Sequence, residues 1–236
     1  KEAERVRENA SLIATAAQYQ VPMAMKILTM PIWTNMHIHG RLQTDDRHIW
    51  MASELFANHE PLRQSMTRLL KAWDLGLSDI RFERQTVTRS NGEKEEIDMP
   101  YGIHRVEGVD HPLLFKHESS GTKAAFLLLS RLLPVLADGG FAVIDELESD
   151  LHPHVLVPLL DLFFSPETNP HHAQIIFTSH SMEVLNLLHK AQVVLVEKDE
   201  QCQSKAWRLD AVKGIRADDN LYAKYMGGSY GAIPQL

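Results

Sequence analysis

The chain has 236 residues, of which 44 % are hydrophobic and 23 % charged, and its formal net charge of −7 excludes a protein that coats DNA by bulk electrostatics, though not a local basic groove. That length suits one large or two small domains with ample core. Its single cysteine, Cys202, excludes an internal disulfide and fits a reducing cytoplasm, and no unbroken apolar run reaches the roughly 18 residues that a bilayer span needs.

The opening Lys1-Glu2-Ala3-Glu4 reads as a charged helical start, not a signal peptide, and as the cut end of something longer. Residues 1 to about 80 are expected to be mainly helical: Leu55, Phe56, Leu62, Met66, Leu69, Leu70 and Trp73 recur at helical spacing between charged positions. Residues 81–116 alternate instead, and Ser90-Asn91-Gly92-Glu93 is a turn signal, so a hairpin or small sheet is expected there. Next, His117-Glu118-Ser119-Ser120-Gly121-Thr122-Lys123 opens an apolar helix over 124–137. A small Ser-Ser-Gly run at a helix start exposes backbone N–H groups and the positive end of the dipole, which suits an anion such as phosphate; an ordinary N-cap has the same look. Pro134 is expected to kink or end this helix near Leu133.

Three short continuous apolar runs follow: Phe141-Ala142-Val143-Ile144, Ile175-Ile176-Phe177 and Val193-Val194-Leu195-Val196. Such runs suit strands buried on both faces, and the segments near 155–164 and 182–190 are long enough for crossover helices. A doubly wound α/β core with a mainly parallel sheet follows, with ligands beyond the carboxyl ends of its strands. The first of these ends carries Asp145-Glu146. An apolar strand delivering two adjacent carboxylates is costly unless something uses the charge; a solvated strand-to-helix turn is the plainer alternative. The second end carries Thr178-Ser179-His180-Ser181, which would set a histidine beside the acids if the two strands are neighbours.

In combination these segments resemble the nucleotide-binding machinery of ABC-type ATPases. Glu118 to Lys123 is similar to the signature motif, Phe141 to Glu146 to a Walker B strand with its catalytic glutamate, 147–151 to the D-loop, and His180 to the switch histidine. More narrowly, "ESSGTK", "VIDELESDLHPHV", "IIFTSHS" and "YMGGSYGAIPQL" resemble the AAA15/AAA21-like bacterial ATPases, close to the overcoming-lysogenisation-defect proteins and to Septu-type and retron-associated defence ATPases. The likeness covers 115–236 and extends weakly to "RENASLIATAAQYQ" at 7–20.

The resemblance implies a P-loop NTPase fold, with a helical and hairpin lobe over 1–116 and the signature, Walker B, D-loop and switch-histidine part over 117–236. It implies that Asp145 holds Mg²⁺ through water, that Glu146 is the general base and that His180 senses the γ-phosphate. Ser119, Ser120, Gly121 and Lys123 would grip ATP bound to a second subunit, and Asp150 would lie at the seam of a homodimer or larger homo-oligomer. A cytoplasmic ATPase gating a separate nuclease effector in anti-phage defence, with DNA or RNA as further partners and no membrane, is the function implied. The alternatives are a nucleotide-gated scaffold with little turnover and a genome-maintenance ATPase. A transporter ATPase fits less well: Glu118 stands where transporters commonly have leucine, and Ser120 replaces the first glycine. No GxxxxGK[ST] phosphate loop occurs in the sequence; the family places it upstream of this segment.

Weaker signals read as structure. His37-x-His39 and His152-Pro153-His154 have metal-like spacing but lack further ligands nearby. His152-Pro153 is expected to start a helix, Asn169-Pro170-His171-His172 to form a loop. The strand ending at Glu197 lacks the Asp-x-Asp that a Toprim nuclease would need.

Overall fold

The computed structural model describes residues 10–42, 45–88, 92, 94–216 and 219–233. The weak likeness at 7–20 is covered from residue 10 onward, where two short helices stand: α1 (Leu12–Gln18), whose Ser11 cap accepts the Ala14 N–H, and α2 (Pro22–Thr29), which opens on a proline. The region expected to be helical then yields a strand, β1 (Ile32–Thr34), and a small hairpin of β2 (Met36–His37) and β3 (Gly40–Arg41). Helices α3 (Asp46–Asn58) and α4 (Glu60–Ala72) follow as expected, burying Ile49, Ala52 and Phe56 from one and Met66 and Leu70 from the other.

The alternating segment forms the three-stranded antiparallel sheet of β4 (Asp79–Thr88), β5 (Lys94–Val106) and β6 (Val109–Leu114). Ser90, Asn91 and Glu93 of the expected turn lie outside the described residues, but the flanking strands pair from Asp79↔Ile103 to Thr88↔Lys94. The next turn uses Glu107 and Gly108, both at positive φ, the conformation that two-residue hairpin turns demand.

Helix α5 (Ser120–Asp138) is the core helix. It is long and apolar enough to cross a bilayer, yet 67 % of it is buried within the protein, with Phe126, Leu129 and Leu132 fully enclosed. It also continues past Pro134 to Asp138, so the proline does not end it near Leu133. The proline costs about 3 kcal/mol of helix stability, and burial of Leu132, Leu133, Val135 and Leu136 around it offsets that.

The parallel sheet has the order β1-β7-β8, with β7 (Phe141–Ile144) central and β8 (Gln174–Phe177) beside it; the pairing runs from Ile32↔Phe141 and Phe141↔Gln174 to Ile144↔Phe177. α6 (Pro153–Phe164), capped by His152 as expected, connects β7 to β8. The third apolar run is not part of this sheet. β9 (Val194–Lys198) pairs antiparallel with β10 (Ser204–Arg208) in a separate ribbon, with Leu195 buried and Val194 and Val196 facing outward; β8 also departs from the expected burial on both faces, since Ile176 is exposed. The expected helix at 182–190 is a pair of 3₁₀ turns, Met182–Leu187 and Lys190–Gln192. With α7 (Leu221–Met226), these elements enclose a second small core around Leu195, Leu209 and Tyr230.

Candidate functional site

The central strand delivers Asp145 and Glu146 at its carboxyl end, and both neighbouring strands hold them. From the β1 side, the Asn35 side chain clamps the Asp145 backbone: its amide nitrogen donates to the Asp145 carbonyl at 2.8 Å and its oxygen accepts the Asp145 N–H at 2.8 Å. From the β8 side, the Thr178 hydroxyl accepts the Glu146 N–H at 2.8 Å and donates to Asp145 Oδ1 at 2.7 Å. The Thr178 carbonyl accepts the Leu147 N–H at 3.0 Å. These bonds permit the chain to turn sharply with Glu146 at φ 50°, a left-handed conformation costly for a residue with a Cβ.

The Glu146 carboxylate accepts the Ser149 hydroxyl at 3.0 Å and lies 3.6 Å from Arg41 Nε. A cavity of about 50 Å³ collects Asn35, Arg41, Arg131, Glu146, Ser149 and Asp150. Burial lowers the Arg131 guanidinium from its ordinary value, and its NH1 donates to the Leu127 carbonyl at 3.3 Å. The loop after β8 is tied back as well, because the His180 N–H donates to Glu148 Oε1 at 2.6 Å. The His180 ring is exposed, beyond the strand ends that carry the acids. The other Glu148 oxygen is buried without a partner.

The Ser-Gly helix start is built differently. Ser119 caps α5, accepting the Thr122 N–H at 3.1 Å and sharing a 2.8 Å hydrogen bond with the Thr122 hydroxyl. Ser119 and Ser120 are exposed, and among the described residues neither bonds to Asp145, Glu146 or His180. Gly121 packs against the loop after β7, where a Cβ would sit 3.1 Å from the Asp150 carbonyl, so the lack of a side chain permits that approach. Lys123 donates from its ammonium to the Lys116 carbonyl at 3.3 Å.

The strand ends thus bring Asp145, Glu146 and the loop that carries His180 together, and Asp150 meets Gly121, while among the described hydrogen bonds none joins the serines to the acids. Asn35, Arg41, Thr178 and Glu148 belong to the same network without having been singled out for these roles. Among the described residues no group of three or more His, Cys, Asp or Glu is placed to hold a metal ion. A concavity of about 730 Å³ between α4 and β4 is lined by Arg63, Arg68, Lys71 and Arg81 together with Glu60, Asp79 and Glu83. It contains none of the motif residues, and its charges nearly balance.

The AAA-domain family described as "AAA domain, putative AbiEii toxin, Type IV TA system" matches residues 6–186. The chain belongs to this family. It is an AAA domain with the α/β fold of P-loop NTPases, and its parallel sheet and flanking helices agree with that fold. Comparison with curated proteins returns no match. Among solved structures, an Smc head bound to the C-winged helix domain of ScpA is similar at 11 % identity and a TM-score of 0.40, over 74 % of this chain and 53 % of that one. The chain therefore spans about half the length of that protein.

Proposed function

We propose that this chain hydrolyses ATP between two head-to-tail copies, each presenting its acids to one nucleotide and its Ser-Gly helix start to the other's. The carrying observation is the junction of β7 and β8, where Asp145, Glu146 and the His180 loop are fastened into one constellation. The donor set fits a hard cation: one Asp145 oxygen is engaged by Thr178, and the carboxylate supplies the oxygen chemistry that Mg²⁺ prefers. When bound, the cation would neutralise charge on the phosphates. Glu146 would take the proton of the attacking water, with Ser149 and Arg41 holding its carboxylate in place. His180 would donate to a γ-phosphate oxygen. Ser119, Ser120 and Gly121 would offer N–H groups, and Lys123 a charge, to the neighbour's nucleotide. Asp150, against Gly121, would couple the two sites.

The family's description, with its putative toxin and toxin–antitoxin system, supports a role in bacterial defence, in which ATP-driven closure of a cytoplasmic dimer gates a separate effector such as a nuclease. The contacts that Arg41 and Ser149 make to Glu146 favour a second reading, a nucleotide-gated scaffold whose base is restrained and turns over slowly. Phosphate release by the complete protein separates the two. ATPase function predicts that Glu146→Gln lowers turnover by about 10²–10⁴-fold, the usual contribution of a general base, and traps an ATP-bound dimer. Wild-type turnover no faster than that of the variant would defeat the hydrolytic reading.

A further inference from the structure

The residue directly before the Ser-Gly start is a buried acid. Glu118 is 7 % exposed, a rare setting for a carboxyl group. Its Oε1 lies 2.8 Å from His104 Nε2, and His104 Nδ1 lies 3.0 Å from the Gly76 carbonyl. A carbonyl oxygen only accepts, so Nδ1 carries a proton and donates it. The contact between Nε2 and the carboxyl group then requires a second proton, on the ring or on the acid. Either an imidazolium faces a carboxylate or a neutral ring faces a carboxylic acid, and in both forms the pair is neutral, so no lone charge is buried.

β5 is shaped for this pair. Gly102 and His104 share one face of the strand, and a Cβ at Gly102 would stand 2.2 Å from Glu118 Oε1 and 2.8 Å from Leu77 Cδ2. The Ser119 hydroxyl bonds stay within the first turn of α5 and cannot aim that turn relative to the rest of the protein. The Glu118 side chain can, because it ties the start of α5 to the antiparallel sheet and, through His104, to the turn at Gly76.

We propose that His104 is a positioning residue that, through Glu118, sets the direction in which Ser119, Ser120 and Gly121 face a neighbouring copy's nucleotide. This rests on the dimeric ATPase reading above. The test uses the complete protein and four variants. In Glu118→Gln the amide donates to Nε2 of a neutral ring while Nδ1–H still serves Gly76, so the brace survives and turnover stays within about twofold of wild type. His104→Phe strands the carboxyl group, and Glu118→Leu removes the brace without burying a charge, which covers the case in which His104→Phe does not fold. Both should lose turnover on the order of tenfold to a hundredfold, as misdirected binding groups do. ATP affinity of the dilute, separated subunits should stay within about twofold of wild type. Mixing either variant with Glu146→Gln subunits should raise hydrolysis above that of either alone, since one site of the mixed pair joins an intact helix start to an intact base. Glu118→Gln as impaired as Glu118→Leu, or full turnover in Glu118→Leu, overturns the proposal. Failed complementation with wild-type turnover intact overturns the shared-site reading, and absent wild-type turnover removes the parent ATPase assignment.

Discussion

Asn35→Ala tests whether the candidate site is held from the β1 side. The substitution deletes two 2.8 Å hydrogen bonds to the backbone of Asp145 and leaves a half-buried N–H and C=O facing a void. Each bond is worth about 1 kcal/mol net, and the unsatisfied groups add desolvation cost, for a total of about 2–3 kcal/mol. In a protein of this size roughly 2–4 °C accompanies each kcal/mol, so the melting temperature should fall by about 5–10 °C. Asn35→Asp sharpens the test. It keeps the acceptor for the Asp145 N–H but sets a carboxylate oxygen against the Asp145 carbonyl, so it should melt lower than the alanine variant. Thermal unfolding followed by circular dichroism reads both. Melting within 1 °C of wild type for both variants would show that the clamp contributes nothing and refute the three-strand account of the site.

Thr178→Val removes a hydroxyl that both accepts from Glu146 and donates to Asp145. It should cost about 1–2 kcal/mol in chemical denaturation and at least about tenfold in phosphate release, whereas Thr178→Ser should keep most of both. Arg41→Ala removes a partly exposed ion pair, so its stability should change by less than about 1 kcal/mol; a change in turnover at constant melting temperature would show that the arginine tunes Glu146. Gly140→Ala should destabilise by about 2–4 kcal/mol in urea titration, since φ is +132° there and the new Cβ would meet the Pro31 carbonyl at 2.3 Å.

The residues that the proposed site uses stand out in the sequence because each sits within a few residues of an unambiguous local pattern. Phe141 to Ile144 and Ile175 to Phe177 are apolar on both sides and are parallel neighbours, so the groups at their ends meet. The same rule misassigned Val193 to Val196, because an apolar run does not reveal which strand it pairs with, and this one pairs antiparallel with β10. β1 is invisible to periodicity: three residues carry no pattern, and their strand character comes from pairing with β7. Pro134 obeyed its surroundings over its intrinsic preference. Asn35 was illegible for a more basic reason, being 110 residues from the group it clamps. Thr178, although in view beside His180, shows its double hydrogen bond only once two strands are side by side.

The order β1-β7-β8 has one more consequence. β1 ends at Thr34 and its immediate sheet neighbour β7 begins at Phe141, so the β2–β3 hairpin, α3, α4, the antiparallel sheet and α5 all belong to a single enlarged crossover. Because α5 returns from that excursion into the main core and Arg41 of the hairpin reaches Glu146, the excursion is built into both the core and the site. The parallel sheet is in this sense closed at a single seam, the pairing of Ile32–Thr34 with Phe141–Val143, from which the long excursion leaves and to which it returns.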